Sequence, residues 1–288
     1  MKLGLIGMGV MGLPIALNLV NKSGLPVLGF DVVESQCARF AAGGGTVAAS
    51  PAEIYEACGV IFFSLPSNKL VSAYLEEAVA ACPAGTILVD LSSSYPTVIR
   101  AFAEAAENRG VGLVDCPVSG GEAGAVAGTL SAMCGGRPED VAAVMPYLRL
   151  FNSKVTHMGG LGCGYAAKLA NNMIIGVEIA AVAEAFAYAR RAGLDERTLF
   201  EAIRGGGAGS SVLEVKGPKM LDRDYSVSSR LSIHLKDQHN ALLLAQDTGA
   251  CTPMLELATR LMEQLEAAGR GGEDVAALID LFGEEKPQ

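Results

Sequence analysis

The chain opens with the stretch KLGLIGMGVMGLPIALNLV (residues 2–20), in which a short aliphatic run leads through a glycine-rich turn into an apolar helical segment. The turn has the spacing Gly-x-Gly-x-x-Gly. Its first glycine permits the tight turn, its second lets a pyrophosphate approach the backbone, and its third lets the helix pack on the strand. Because a strand precedes the motif and a helix follows it, the pattern predicts a dinucleotide site. The residues of that site are Gly7, Met8, Gly9, Val10, Met11 and Gly12.

Asp31 ends the next predicted strand, PVLGFD (26–31). An acidic residue about 20 positions beyond such a motif binds the ribose 2′-hydroxyl of NAD, and its charge repels the 2′-phosphate of NADP. The segment VVESQ (32–36) that follows contains no arginine or lysine. NAD is therefore the expected cofactor and NADP the less favoured one. The alternative interpretation is that Asp31 is only a turn residue.

Short aliphatic runs alternate with helical segments over the first half of the chain, one of these helices being expected over residues 96–110. The alternation predicts an α/β Rossmann-type N-terminal domain, residues 1–160, with a mainly parallel, doubly wound sheet. From residue 164 to about residue 192 the pattern becomes one long apolar helix, and only helical patterns follow it. The prediction for residues 161–288 is an all-α domain that serves substrate binding and oligomerisation.

Composition limits the kinds of partner that the protein is expected to have. A net charge of −9 and a pI of about 4.9 argue against a nucleic-acid surface. The seven cysteines are dispersed without a CxxC pair, and with only three histidines they show no ligand spacing for a metal. Reduced thiols, a cytoplasmic protein and no metal site are expected. The glycine-interrupted N-terminal run is a poor signal peptide.

The long apolar helix also bears on membranes and on assembly. Glu178 lies near its middle, which argues against a membrane span. The helix has more apolar surface than a domain of this size readily covers alone. A homodimer or a homotetramer is therefore expected.

The stretch GCGYAAKLANN (162–172) places a lysine at the head of this apolar run. Lys168, Asn171 and Asn172 stand at i, i+3 and i+4, so they share one face of the predicted helix. A partly desolvated lysine can donate a proton to an alkoxide or take one from an alcohol, and an asparagine beside it can orient the hydroxyl. The alternative is a lysine whose stem lies on apolar surface while its ammonium reaches solvent.

Four separated stretches, taken together, resemble the β-hydroxyacid dehydrogenase family over nearly the whole chain. They are GLIGMGVMG (4–12), DCPVSGG (115–121), GCGYAAKLANN (162–172) and LKD (235–237). The resemblance implies that Lys168 is the general acid and base and that Asn172 orients the substrate. It implies further roles for residues in other segments. Ser119, Gly120 and Gly121 would hold the substrate carboxylate, Lys236 braced by Asp237 would reach nicotinamide and substrate, and Leu65, Pro66 and Ser93 would lie beside the nicotinamide and its ribose.

One segment departs from the family pattern. Members often carry a phenylalanine just before LKD, where this chain reads Ser228-Ser229-Arg230. Losing an aromatic ring there would widen or polarise the pocket, which predicts a longer or more hydroxylated acid such as threonate or glycerate. Arg230 is interpreted as an exposed residue at a helix start, with pairing to a substrate carboxylate as the alternative. Cys116 and Cys163 are interpreted as packing residues, with sensitivity to thiol reagents as the alternative.

The resemblance implies an NAD-dependent oxidoreductase that transfers a hydride between nicotinamide and C3 of a short 3-hydroxy acid. The expected substrates are 3-hydroxyisobutyrate, the glycerate and tartronate semialdehyde pair, or a threonate-like acid. One alternative is an oxidative decarboxylase like 6-phosphogluconate dehydrogenase, which usually has a longer helical domain and a basic phosphate pocket. The other is a catalytically silent NAD-binding sensor, which needs the glycine loop but not Lys168.

Overall fold

The computed structural model of the protein describes residues 1–283 and divides into two compact units, Met1–Lys168 and Leu169–Gln288. The division falls inside one continuous helix, so each unit is described by itself. Residues 284–288, the end of the predicted second domain, lie outside the described residues.

The first unit is built on a sheet of nine strands. The strands are β1 Leu3–Ile6, β2 Val27–Phe30, β3 Thr46–Val47, β4 Val60–Phe63, β5 Ile87–Asp90, β6 Gly112–Asp115, β7 Val118–Ser119, β8 Leu130–Gly136 and β9 Asn152–Gly159. Their order is β3-β2-β1-β4-β5-β6-β8-β7, and β9 also pairs with β8. Strands β1 to β6 are mutually parallel, β8 runs antiparallel to β6 and β7, and β9 runs parallel to β8. The predicted class, a mainly parallel and doubly wound sheet, is confirmed.

Successive residues of the central strands enter different apolar clusters. Phe62 belongs to one fully buried cluster, while its neighbours Ile61 and Phe63 belong to another. Side chains alternate between the faces of a strand, so a sheet that is covered on both faces requires apolar residues at every position. This explains why the strands read as continuous aliphatic runs.

Helices connect these strands. They are α1 Gly12–Lys22, α2 Glu34–Ala42, α3 Pro51–Ala57, α4 Asn68–Ala81, α5 Pro96–Arg100, α6 Ala103–Asn108, α7 Gly121–Ala127 and α8 Pro138–Leu148. The prediction of one helix over residues 96–110 is wrong, because Ala101 and Phe102 interrupt it and separate α5 from α6. Ile99, Phe102 and Ala106 still pack on one apolar cluster, so the same face of the segment is buried on both sides of the interruption.

Within residues 169–283, the regular elements of the second unit are all helices, joined by loops, apart from an isolated backbone bridge between Arg230 and Asp274. The predicted all-α class is confirmed. Side-chain caps start two of its helices, since Asp195 accepts a hydrogen bond from Thr198 N and Ser210 accepts one from Leu213 N. The elements are α9 Cys163–Arg191, which begins in the first unit, then α10 Glu196–Ile203, α11 Ser211–Asp222, α12 Leu231–Thr248, α13 Pro253–Ala267 and a 3₁₀ helix Val275–Phe282.

Helix α9 is long and apolar enough, by length and composition, to cross a membrane, and it is the one helix of this kind among residues 1–283. Of its most apolar window, 39% is buried inside the protein. Its outer face exposes Ile174 and Tyr188, at 56% and 74%. The expectations of a homodimer or homotetramer, of a cytoplasmic protein and of no membrane partner stay predictions.

Candidate active site

The glycine loop between β1 and α1 has the backbone that a dinucleotide motif needs. Gly7 has φ +92°, and a Cβ atom there would overlap the carbonyl oxygen of Ser64. A Cβ atom on Gly12 would overlap the carbonyl oxygen of Gly7, so this glycine allows α1 to pack against the turn. A Cβ atom on Gly9 would meet no atom within 4 Å. The open space beside Gly9 and the start of a helix just after it fit a pyrophosphate.

Asp31 lies directly after β2 and is held by the backbone. Its Oδ2 accepts a hydrogen bond from Met8 N at 2.5 Å, and its Oδ1 accepts one from Val33 N at 2.8 Å. The bond from Val33 N closes a local turn, which fits the alternative interpretation of Asp31 as a turn residue. The bond from Met8 N, in contrast, ties the carboxylate to the glycine loop. A carboxylate has about four acceptor positions, so positions remain for ribose hydroxyls.

The segments after β4 and β5 are joined by serine side chains. The N–H of Leu65 donates to Ser92 Oγ at 2.8 Å, and Ser94 Oγ bonds Asn68 Oδ1 at 3.0 Å. Ser92 and Ser94 are buried, whereas Ser93 between them is partly exposed and Pro66 is exposed. The alternation places the predicted site residue, Ser93, on the opposite side of the chain from its two structural neighbours.

The loop of the predicted carboxylate site turns through two glycines. Ser119 ends the short strand β7, and Gly120 with φ +133° and Gly121 with φ +63° lead into α7. Nothing lies within 4 Å of a Cβ atom built on Gly121, so the backbone there borders open space. Backbone N–H groups in a turn of this kind can bind an anion.

Two buried carboxylates support the start of α9. Asp90 and Asp115 end the neighbouring parallel strands β5 and β6, directly opposite one another, and both are fully buried. Asp115 accepts hydrogen bonds from Gly162 N at 2.7 Å through Oδ1 and from Tyr165 N at 2.8 Å through Oδ2. Tyr165 Oη donates to Asp90 Oδ2. A Cβ atom on Gly164 would lie 2.5 Å from the Asp115 carbonyl oxygen, so this close approach requires glycine.

Burial shifts the protonation of this cluster. It raises the pKa of Asp115 from its usual 3.8 to about 6, although the Gly162 and Tyr165 N–H groups act against the rise. The nearby Asp90 carboxylate adds to it. Burial, and then Asp90, raise the pKa of Tyr165 well above its usual value, so the phenol acts as a hydrogen-bond donor.

Lys168 and Asn172 lie on one face of α9, just after the turn that Asp90 and Asp115 hold. Lys168 is 8% exposed and Asn172 is 5% exposed, so both residues are nearly buried. Asn172 Nδ2 donates to Asp237 Oδ2 at 2.6 Å, and Asn172 Oδ1 accepts a bond from Asn171 Nδ2 at 2.9 Å. The amide of Asn172 is therefore held in one orientation.

Within the second unit, α12 holds the same asparagine from the other side. Lys236 Nζ lies 3.2 Å from Asp237 Oδ1, so Asp237 links Lys236 to Asn172. Gln238 is fully buried, and its Nε2 donates to the carbonyl oxygen of Asn172 at 2.7 Å. A Cβ atom on Gly176 would lie 2.7 Å from that same Nε2, so glycine at this position makes room for Gln238.

Comparisons with known proteins cover both units. Residues 2–160 match the model of the NAD binding domain of 6-phosphogluconate dehydrogenase. Residues 162–282 match a second family model, which is described as NAD-binding of NADP-dependent 3-hydroxyisobutyrate dehydrogenase. The chain belongs to the β-hydroxyacid dehydrogenase family.

Full-length relatives agree with this assignment. The chain is 34% identical to 2-(hydroxymethyl)glutarate dehydrogenase of Eubacterium barkeri, over 98% of the chain and 94% of the relative. It is also 34% identical to 2-hydroxy-3-oxopropionate reductase of Escherichia coli K12, over 97% and 96%. A solved structure of 3-hydroxyisobutyrate dehydrogenase from Mycobacterium tuberculosis with L-serine matches with a TM-score of 0.90 and 30% identity, over 98% and 99% of the two chains. The protein is a hydroxyacid dehydrogenase with NAD(P)-binding domains.

The two serines at the departure from the family pattern are hydrogen-bonded inside the second unit of this β-hydroxyacid dehydrogenase. Buried Asp274 accepts hydrogen bonds from the N–H groups of Ser228 and Ser229 and from Lys216 Nζ. Ser228 Oγ also donates to Asp274, at 2.8 Å, and Ser229 Oγ bonds His234 Nε2 at 2.5 Å. Both hydroxyls are therefore engaged inside the second unit. The preference for a more hydroxylated acid stays a prediction.

Arg230, Cys116 and Cys163 differ in how far they are exposed to solvent. Arg230 is exposed and immediately precedes α12, as its interpretation as a helix-start residue expected. Cys116 is fully buried in the apolar core, where burial raises the pKa of its thiol well above the usual value. Cys163 is partly exposed at the start of α9. Among residues 1–283, no group of three or more His, Cys, Asp or Glu side chains is arranged to hold a metal ion.

Several residues that support the candidate site were not predicted from the sequence. Asp90 and Asp115 had a visible signal, since each is a single acid that ends an apolar strand. Acids in that position lie at the carboxyl edge of a parallel sheet, where sites form. Tyr165 and Gln238 had no such signal, because their partners come from distant segments of the chain.

Alanine at Gly9 and at Gly12 should separate cofactor binding from folding. We expect G9A to melt at the wild-type temperature but to lose NADH binding, because its methyl group enters only the open space that the pyrophosphate needs. We expect G12A to lose about 1–3 kcal/mol of stability through its overlap with Gly7. Thermal melts and NADH fluorescence titrations measure the two effects. Equal NADH affinity in G9A and the wild type would contradict the assignment of the loop.

The raised pKa of Asp115 predicts how stability depends on pH. Between about pH 4 and pH 6 the unfolded carboxyl ionises while the folded one stays protonated, so the free energy of unfolding should fall as pH rises. The shift from 3.8 to about 6 corresponds to a loss of up to about 3 kcal/mol from this group. Urea unfolding across this range measures it. The D115N variant should lack this contribution, and an unchanged pH slope in D115N would contradict the assignment.

Proposed function

We propose that the protein transfers a hydride at C3 of a short 3-hydroxy acid, with Lys168 as general acid and base. The observation that carries the proposal is the presence of Lys168 and Asn172, both nearly buried, on one face of α9. Asp237 holds the amide of Asn172. A nearly buried amino group one helical turn from an oriented amide suits the binding and transfer of a hydroxyl proton.

Bound NAD supplies the hydride acceptor for oxidation, and its reduced form supplies the donor for the reverse reaction. In the oxidative direction, Lys168 Nζ takes the proton of the C3 hydroxyl as the hydride leaves that carbon, and the C–O bond becomes a carbonyl. In the reductive direction, the same ammonium returns the proton to the developing alkoxide. Asn172 keeps one amide hydrogen and one lone pair beyond its bonds to Asp237 and Asn171, and these orient the hydroxyl.

The substrate carboxylate is proposed to bind the loop Ser119–Gly121 through its backbone N–H groups and the Ser119 hydroxyl. Lys236, whose side chain remains 28% exposed beside Asp237, is proposed to add a positive charge for substrate and nicotinamide. Backbone N–H groups and a lysine together favour a small anion in a protein of net charge −9.

The charge pattern of the second unit favours an unphosphorylated acid over a phosphosugar. Among residues 169–283, most of the basic side chains already pair with carboxylates, which leaves few cations for a phosphate. The paired residues other than Lys236 are Arg190, Arg197, Arg204, Lys216, Lys219, Arg223 and Arg270. This supports a short hydroxy acid over the alternative of an oxidative decarboxylase like 6-phosphogluconate dehydrogenase.

Replacing Lys168 tests the proposed function. We expect K168A to lower kcat by about a hundredfold to ten-thousandfold, the usual contribution of a general acid or base, while NADH affinity is kept. The measurement is NAD reduction at 340 nm with 3-hydroxyisobutyrate, glycerate, threonate, serine and 6-phosphogluconate. Lys154, an exposed lysine of the first unit, provides the control, and K154A should retain the wild-type rate.

The outcomes separate the alternatives. A K168A enzyme that matches K154A would remove Lys168 from the chemistry. If 6-phosphogluconate were the substrate turned over, the oxidative decarboxylase would replace the proposal. If wild-type protein bound NADH but turned over none of the acids, the silent sensor would gain support.

We also propose NAD as the preferred cofactor, on the strength of the Asp31 carboxylate at the end of β2. In the variant D31S, ribose hydroxyls lose a charged acceptor, so NAD affinity should fall by roughly tenfold to a hundredfold. Adding V32R, at a position that is 82% exposed, should then raise the affinity for NADP. Fluorescence titrations with NADH and NADPH measure both. Preference of the wild type for NADPH would contradict the cofactor proposal.

A further inference from the structure

A continuous set of hydrogen bonds runs from the segment after β4 to the first turn of α9. Leu65 N donates to Ser92 Oγ at 2.8 Å, and Ser92 Oγ donates to Asp90 Oδ1 at 2.6 Å. Ser92 N donates to the same oxygen at 3.0 Å. The other oxygen of Asp90 accepts the hydroxyl of Tyr165. Leu65, Ser92, Asp90 and Tyr165 are called the relay from here on.

The donor and the acceptor of each hydrogen bond in the relay can be assigned. The hydroxyl of Ser92 gives its proton to Asp90, so it can only accept from Leu65. Tyr165 is fully buried, and its phenol gives its proton to the second oxygen of Asp90. Burying a carboxylate costs free energy unless such donors satisfy it. Breaking one bond of the relay therefore leaves a buried polar group with fewer partners and raises the free energy of the folded state. The relay therefore has one low-energy arrangement.

The relay ends one helical turn before the proposed catalytic lysine. Lys168 stands at i+3 from Tyr165, and residues at that spacing are neighbours on one helix face. Tyr165 N is also bonded to Asp115, so the first turn of α9 is held through both the backbone and the side chain of one residue. Any shift or rotation of this turn moves Lys168 by a similar amount.

We propose that Tyr165, Asp90 and Ser92 are positioning residues that hold Lys168 in register with the segment at Leu65. The inference rests on the proposed function of Lys168 and deepens it. Tyr165 itself does not touch substrate, because its ring and hydroxyl are buried against Asp90. A misplacement of about 1 Å in a reacting group can cost about a hundredfold in rate, so a small relaxation of the turn is enough to be measured.

The test compares Y165F with a matched control, Y55F. Tyr55 is 2% exposed, belongs to the same apolar cluster as Tyr165, and its hydroxyl donates to the Tyr74 carbonyl oxygen at 3.5 Å. Each change removes one hydroxyl and keeps the buried ring, so both variants should fold and melt somewhat below the wild type. We expect kcat to fall by roughly tenfold to a hundredfold in Y165F and to stay within about twofold of the wild type in Y55F.

Two further readouts separate positioning from general destabilisation. The NADH dissociation constant should be unchanged in Y165F, and the deuterium isotope effect on kcat with a C3-deuterated acid should rise, because chemistry becomes slower. In S92A, the N–H of Leu65 loses its acceptor. We therefore expect weaker NADH binding in S92A than in Y165F. A kcat in Y165F equal to that of Y55F would overturn the inference.

Amide hydrogen exchange keeps the relay testable even if the proposed function fails. If the wild type turns over no acid, the function of Lys168 is wrong, but the relay still predicts faster exchange at Leu65 N–H in Y165F and not in Y55F. Equal exchange at Leu65 in the two variants would overturn the relay itself.

Discussion

The start of α9 rests on two buried carboxylates, and the rest of the site depends on that support. Asp90 and Asp115 stand side by side at the carboxyl edge of a parallel sheet, where two like charges are costly unless donors surround them. Their donors include the N–H groups of Gly162, Tyr165 and Ser92 and the hydroxyls of Tyr165 and Ser92. The first turn of α9 therefore has one favourable position, and the residues that follow it take their places from there.

The packing of the helices also requires close contacts, and glycine residues make these contacts possible. Gly164 brings α9 against the backbone of Asp115, Gly176 makes room for Gln238, and Gly12 brings α1 against the turn at Gly7. A side chain at any of these positions would push a helix away from its partner. The high glycine content of the chain is thus explained by contacts as well as by turns.

Much of the first unit could be predicted from sequence, because its signals are local. The loop Gly7–Gly12 shows its own spacing, and Asp31 ends a recognisable strand. Periodicity over 96–110 does not reveal the interruption at Ala101 and Phe102, because Ile99, Phe102 and Ala106 keep helical spacing across it. The spacing of Lys168 and Asn172 indicates that they share one helix face, whereas their roles come from the family resemblance and stay predictions. The bonds of Tyr165 to Asp90 and of Gln238 to Asn172 could not be predicted, since each joins segments that only the folded chain brings together.

The support of α9 by Asp115 is tested most directly by hydrogen exchange at the amides of Gly162 and Tyr165 in the wild-type protein. These two N–H groups point at a buried carboxylate at 2.7 and 2.8 Å, so they should exchange as slowly as the amides of the central strands β4 and β5. Exchange as fast as that of the exposed glycines 205–207 would contradict the account, because the first turn of α9 would then open freely to water.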